Sequence, residues 1–356
     1  MVKAIQSLYP SIEAVRFTNS GLEATLLAIR LGMAYTGRPS IAKFAGHYHG
    51  GHEQVLVSTH AVTDDATHLK KTAESMGLPD YFLQHTEILP FNNIEISQQI
   101  LREHHRQIGV VMLEPLQAGY IPARQEFIRR LRDLTMELGM VLVFDEVKTG
   151  FRICLGGAQE FYGVRPDLTA LGKVLGGGFP IGAVGGRHDI LDLTSPRRSQ
   201  GGQDVVFHSG TFNGNPMSLL AGLRTLEFLQ QSGNYTRLLN TAENLRRRLQ
   251  AISEAQGLPV KTVGAGSIFN LVFPAAPDGS DEEPLDPVVA ENSPRHRNLR
   301  GKLDFLLMQH GVFSKPYNRF SVSLAHDATA INHTLEAFEQ CMASTKTTNH
   351  SSSKSL

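Results

Sequence analysis

Residues 108–147 read IGVVMLEPLQAGYIPARQEFIRRLRDLTMELGMVLVFDEV. The run IGVVMLEP has strand length, is apolar, and ends in a carboxylate, Glu114. After a loop, QEFIRRLRDLTMELG (125–139) spaces its apolar residues for a helix and closes on Gly139. MVLVFDEV (140–147) is then a second apolar strand, carrying Asp145 at its end. The same alternation appears upstream, where AVRF reads as a short strand, NSG as a turn of small residues, and GLEATLLAIRLGMAY (21–35) as a helix. Repeated strand and helix predict an α/β fold built on an open, mostly parallel sheet flanked by helices, with ligands gathered at the carboxyl ends of the strands.

Beyond Pro216 the pattern turns helical, through MSLLAGLRTLEFLQQSG and then RLLNTAENLRRRLQAISEAQG. A domain change is expected near Gly233, giving a large domain over 1–233 and a smaller α+β domain over 234–345. Residues 274–297, rich in Pro and acidic residues, are expected to form a mobile excursion, and the polar tail 346–356 to be disordered. The chain has 356 residues, 41% of them hydrophobic, enough for ordinary cores. Lys plus Arg and Asp plus Glu both number 34, so no basic field exists to attract a phosphate backbone and nucleic acid is not an expected partner. Two cysteines, Cys154 and Cys341, lie outside any C-x-x-C spacing, which suits a reducing compartment. With no apolar run of spanning length and no signal-peptide core at the amino end, a cytoplasmic protein without membrane insertion is expected.

Two stretches carry chemistry. DLTALGKVLGGGFPIGA (167–183) sets Lys173 between an apolar strand and three glycines, where backbone approaches closely and little bulk crowds the amine. A solvated surface lysine is the ordinary alternative. Asp145 tips the balance, because a carboxylate buried after an apolar strand needs a cationic partner. A protonated pyridine nitrogen is such a partner, and lysine with a pyridinium-binding carboxylate is the pair used by pyridoxal phosphate enzymes. The second stretch, GHYHGGHE (46–53), offers three histidines and a carboxylate, but a metal would require them to converge, and no metal is expected. His47 and His52 are read as loop residues.

SGLEA, YHG, LEP, LVFDEVKTGFR, GGAQEFYGVRPDLTALGKVLGGGFPIGAVGGR, SGTFNGNP and SLAH occur in an order and spacing that resemble the class III pyridoxal phosphate aminotransferases. Within them the sequence is most similar to the glutamate-1-semialdehyde 2,1-aminomutases. The resemblance runs from about Ser11 to Cys341 and implies fold-type I, with pyridoxal 5′-phosphate as cofactor. It implies that Lys173 binds the cofactor covalently, that Asp145 keeps the pyridine nitrogen protonated, and that Val147 and Tyr48 cover the two ring faces. It further implies a phosphate cup from Ser20, Gly21 and Leu22 at a helix N-terminus. Thr211 would complete that cup from the neighbouring subunit of a homodimer. Glu114 belongs to the same cofactor set.

Departures from the family pattern matter as well. Leu22 replaces a threonine, which removes a hydroxyl from the phosphate cup. The loop EPLQAGYIP is shorter than its counterpart and lacks the asparagine that bonds the cofactor's ring oxygen, leaving Gln117 as the nearest amide. Asn318 stands where the aminomutases carry a glutamate near the substrate, and Arg319 beside it is a candidate anchor for a substrate carboxylate, against the ordinary reading of a solvated loop arginine. Family members carry a long segment ahead of the PSIEAVRF equivalent, so a chain truncated at its amino end is expected. The leading functional expectation is transamination between a small-molecule amino donor and a carbonyl acceptor. The aminomutase reaction is the alternative, and a non-catalytic remnant that binds cofactor is a third reading.

Overall fold

The computed structural model describes residues 1–59, 69–276 and 291–349. They form two compact units, the first comprising Met1–Ala118 with Pro122–Gln231, the second Gly119–Ile121 with the chain from Ser232 onward.

The first unit is built on seven strands: β1 (Ala14–Thr18), β2 (Ser40–Phe44), β3 (Thr86–Leu89), β4 (Ile108–Leu113), β5 (Val141–Asp145), β6 (Leu168–Gly172) and β7 (Gly182–Gly186). Their order across the sheet is β1-β7-β6-β5-β4-β2-β3. Neighbours from β6 to β3 pair in parallel, while β7 runs antiparallel to both β6 and β1. The sheet is therefore mostly parallel, as the alternating pattern predicts. β4 and β5 are buried along their whole length, which explains why they read as unbroken apolar runs rather than alternating ones. Helix Gly21–Thr36 buries Leu27 and Leu31 in one core with Val110, Met112, Val143, Leu168 and Val184. Each such side chain contributes ~1.5–3 kcal/mol of burial.

The second unit pairs β8 (Lys261–Ala265) with β9 (Ile268–Val272) and β9 with β10 (Phe320–Ser321), all antiparallel. Helices Asn234–Ala255, Pro294–Gln309 and Ala328–Asn349 complete it. Two expectations need correction. Of the excursion expected over 274–297, residues 277–290 lie outside the described residues, but Ser293 caps the helix that begins at Pro294, its side chain accepting from the His296 amide. Pro at a first helical position is compatible with a helix start, so the turn signal there marked an N-terminus rather than a loop. Likewise the final helix reaches Asn349, so 346–349 continue it where disorder was expected; adding a residue to an established helix costs little compared with starting one. Residues 350–356 lie outside the described residues. Among the described residues, no helix is long and apolar enough to cross a membrane.

Candidate active site

Six strands point their carboxyl ends toward one edge of the sheet, and five of them lead to a polar group of interest. β1 runs through Asn19 and Ser20 into helix Gly21–Thr36, β2 leads to His47, Tyr48 and His49, β4 ends at Glu114, β5 at Asp145, and β6 at Lys173. A cavity of about 160 Å³ opens there. Gly21 and Leu22 line one part of it, Tyr48 and Val147 others, and Asp145 and Lys173 reach it from adjacent strands.

Asp145 is only 4% exposed. One of its oxygens accepts from the Val147 amide at 3.0 Å, and the other lies 2.8 Å from His49 Nδ1. A ring nitrogen that close to an ionised carboxylate carries the proton, so His49 donates to Asp145. The other His49 nitrogen, Nε2, is buried with no hydrogen-bond partner among the described residues. Asp145 thus has a partner within the chain as well as a position on the cavity wall, and sequence reasoning missed that partner.

The remaining histidines are loop residues, as read, but they are packed inside. His47 Nδ1 accepts from the Glu114 amide at 3.0 Å, and burial, followed by the nearby His49, Lys43 and Lys148 charges, holds its pKa well below the ordinary value. His52 Nε2 lies 3.3 Å from Thr25 Oγ1, and burial lowers its pKa to about 4. Both are neutral packing groups at neutral pH. Among the described residues, no three His, Cys, Asp or Glu side chains converge to hold a metal.

The helix N-terminus is shaped by the sequence Ser20-Gly21-Leu22-Glu23. Ser20 Oγ accepts from the Glu23 amide at 3.2 Å, and the Glu23 carboxylate reaches back one residue past this N-cap to accept from the Asn19 amide at 2.9 Å. The Ser20 side chain is therefore spent on the helix, while the amides of Gly21 and Leu22 belong to the first turn, which has no intrahelical acceptors for them. Backbone approach here is tight. A Cβ on Gly21 would sit 2.5 Å from Val147 Cγ1, and one on Gly182 would sit 2.0 Å from the Ser20 carbonyl oxygen.

Lys173 begins a short helical turn, Lys173–Gly176, with φ of +48°. A non-glycine residue in that region costs on the order of 1–3 kcal/mol and persists where surrounding structure over-determines it, which is common at functional sites. Its strand, β6, supplies that constraint by pairing with β5 on one side and β7 on the other.

Glu114 is buried beside the cavity rather than on its wall. Its carboxylate accepts from the Tyr48 amide at 2.9 Å and forms an ion pair with Lys148, whose ammonium lies 5.2 Å from the Tyr48 ring centre. Lys148 does line the cavity, and it is the second residue that sequence reasoning missed. Gln117, by contrast, does not line it; its Oε1 is buried with no partner among the described residues. Thr211 lies in an exposed turn and is not on the cavity wall. Asn318 and Arg319 belong to the second unit, where Asn318 Oδ1 accepts from both the amide and Nη1 of Arg319 at 2.9 Å, and Arg319 lines a separate cavity with Lys315 and His326.

A strand-end lysine and a strand-end carboxylate thus share one cavity wall with a helix N-terminus. Residues 1–293 match the family model described as aminotransferase class-III. The chain belongs to the class III aminotransferases. Among curated class III relatives, glutamate-1-semialdehyde 2,1-aminomutase of Persephonella marina is 38% identical over 345 residues, covering 96% of this chain and 76% of its own length. Among solved structures, an omega-transaminase from Sphaerobacter thermophilus superposes with a TM-score of 0.89 at 34% identity, over 97% of this chain and 77% of that one. A transaminase with PLP bound gives 0.82 at 30% identity, over 97% and 76%. This class III chain is thus similar both to proteins named aminomutases and to proteins named transaminases, and it has the fold-type I architecture.

Proposed function

We propose that this class III enzyme uses pyridoxal phosphate to transfer an amino group from a small amino donor to a separate carbonyl acceptor. The observation that carries the reading is Lys173 and Asp145 on one cavity wall at the ends of adjacent parallel strands.

The residues present fit the cofactor. The first-turn amides of Gly21 and Leu22 suit its phosphate, the apolar Val147 and the ring of Tyr48 suit its two faces, Asp145 suits a protonated ring nitrogen, and Lys173 suits its aldehyde. The glycine at 21 is required by the same packing, since a side chain there would collide with Val147. When bound, pyridoxal phosphate supplies a carbonyl for amines and a ring that accepts the electron pair of a deprotonated substrate carbon. Asp145, fixed by Val147 and His49, holds a proton at the ring nitrogen. Lys173 Nζ is the group that takes a proton from the substrate carbon and returns it. Tyr48, held by its amide to Glu114, excludes water from one face.

A second copy of the chain completes the site in this reading. Thr211 stands in a turn flanked by Phe207 and Phe212, which are 74% and 70% exposed, and apolar side chains so placed favour a partner surface. The aminomutase reaction is the second reading, supported by the similarity to aminomutases. Supplying glutamate-1-semialdehyde without a keto-acid acceptor separates the two. Sustained turnover to 5-aminolevulinate identifies an aminomutase, and turnover that requires an added acceptor identifies a transaminase. Folded, cofactor-loaded protein inactive in both assays points to a remnant. Borohydride reduction followed by peptide mapping is expected to place the cofactor on Lys173; label on another lysine overturns that assignment.

A further inference from the structure

We infer that the cavity in the second unit is a separate binding site for a small organic carboxylate, an anionic head on a short apolar body. The inference does not depend on the proposed use of pyridoxal phosphate, and none of the residues concerned has a role in that reading.

This cavity holds about 250 Å³, more than the 160 Å³ beside Lys173, and every described residue that lines it belongs to the second unit. Much of its wall is apolar and fixed. Leu245, Val322 and Ile331 are buried side chains that border it. The Phe320 ring, on the same wall, stacks against Phe269 with centroids 5.5 Å apart and has the Arg300 guanidinium 4.9 Å from its centre. A wall held from behind in this way is formed before a ligand arrives, so little ordering cost opposes binding.

The charged part of the wall has one sign. Lys315, Arg319 and His326 all line it, and none of the described residues that line it carries a carboxylate. His326 Nδ1 accepts from the Ser323 amide at 3.0 Å, so even a neutral ring keeps its proton on Nε2 and offers a donor. Arg319 Nη1 donates to Asn318 Oδ1, an uncharged acceptor, and that bond positions the guanidinium without cancelling its charge. Two carboxylates adjoin the lining residues, and both have other tasks. Asp304 accepts from Ser314 Oγ but also from Arg300 and the Tyr317 amide, and Asp327 accepts from the Ala330 amide at a helix start. An inorganic anion would leave the apolar wall unused, and a neutral hydrocarbon would desolvate the cations without a counter-charge. A carboxylate on a short apolar body answers both, and the guanidinium fork fits its two oxygens.

The experiment irradiates the full chain with a pentanoate that carries a photoactivatable diazirine, and maps the crosslinks by peptide mass spectrometry. Label is expected on the peptides that carry residues 312–322 and 331–334. Isovalerate should compete about tenfold better than isovaleramide, which lacks the charge, and better by a similar factor than inorganic phosphate, which lacks the apolar body. Arg319→Gln is expected to lower the labelling about tenfold, with Arg319→Lys closer to the parent. Thermal melts check that each variant is folded. Should Arg319→Gln not fold, Lys315→Gln combined with His326→Gln makes the same comparison. Label confined to the Lys173 cavity overturns the inference. So does competition by isovaleramide or phosphate equal to that by isovalerate, or labelling of the charge-removing variants within about twofold of the parent.

Discussion

Two buried charge networks in this protein differ in how they are finished. In the second unit Arg300 is fully buried, and its guanidinium bonds to Asp304 at 3.0 Å, to the carbonyl of Asn318 at 2.6 Å and to Asn270, over the ring of Phe320. Asp304 spends its remaining capacity on Ser314 Oγ and the Tyr317 amide. At the sheet edge of the first unit, Asp145 has His49 and an amide, yet it still faces a cavity. His49 Nε2, His47 Nε2 and Glu146 Oε1 are buried there without hydrogen-bond partners among the described residues, and Lys173 sits at positive φ. A network closed on itself holds a fold together, whereas one with unspent polarity and backbone strain is arranged around something else.

The contrast is sharpest at Lys173. Replacing it with alanine is expected to lower amine turnover about a thousandfold or more, because the proton-moving amine is lost, while the melting temperature of the cofactor-free protein stays near the parent's. A variant that retains turnover within about tenfold would erase the distinction. For Asp304→Ala the signs reverse. Leaving Arg300 as a buried unpaired charge is expected to cost ~3–5 kcal/mol in denaturant unfolding, and in molecules still folded the visible spectrum of bound cofactor should match the parent's. His49→Phe tests the open network from behind its carboxylate. It should lower kcat roughly ten- to a hundredfold with little change in KM, and should shift the pH profile, which a purely space-filling role would not do.

A pH-dependent effect concerns Glu146, whose burial raises its pKa from 4.5 to about 8, despite bonds from the Ala158 amide and Thr149 Oγ1. Its folded form keeps a proton that the unfolded chain releases above its ordinary value. The stability this gives is intact below pH 4.5 and is lost as the pH rises to about 8. Glu146→Gln, which imitates the protonated side chain, should therefore gain stability relative to the parent across that interval in thermal melts at stepped pH. A constant difference at every pH would show that Glu146 is ionised in the fold.

Much of this architecture could be read from residue order. β4 and β5 announced themselves because strands buried on both faces must be apolar throughout, and helix Gly21–Thr36 because its core-facing residues recur at helical spacing. β7 could not be read that way. Three of its five residues are glycine, so it has no side-chain periodicity, and its antiparallel direction shows only in its pairing with the preceding strand β6 on one side and the distant β1 on the other. Lys173 and Asp145 stood out because each follows an apolar strand. His49 reaches Asp145 across 96 positions, a contact that only the sheet order creates. Lys148 looked like an ordinary polar loop residue until its ion pair with Glu114 placed it on the cavity wall. His47 and His52 lie in a loop, but the loop folds inward, and chain position alone does not report that.

The close approach at Gly21 and Gly182 has a consequence for anyone reshaping this pocket by randomised mutagenesis. Neither position tolerates even a methyl group without moving Val147 or the Ser20 carbonyl, so most clones altered there would be discarded before substrate preference was ever sampled. Leu22 and Tyr48 are 38% and 47% exposed and both border the cavity, so their side chains can change without such a collision. A small library confined to those two sites, with both glycines held constant, would search more working sequences than a larger one spread evenly around the pocket.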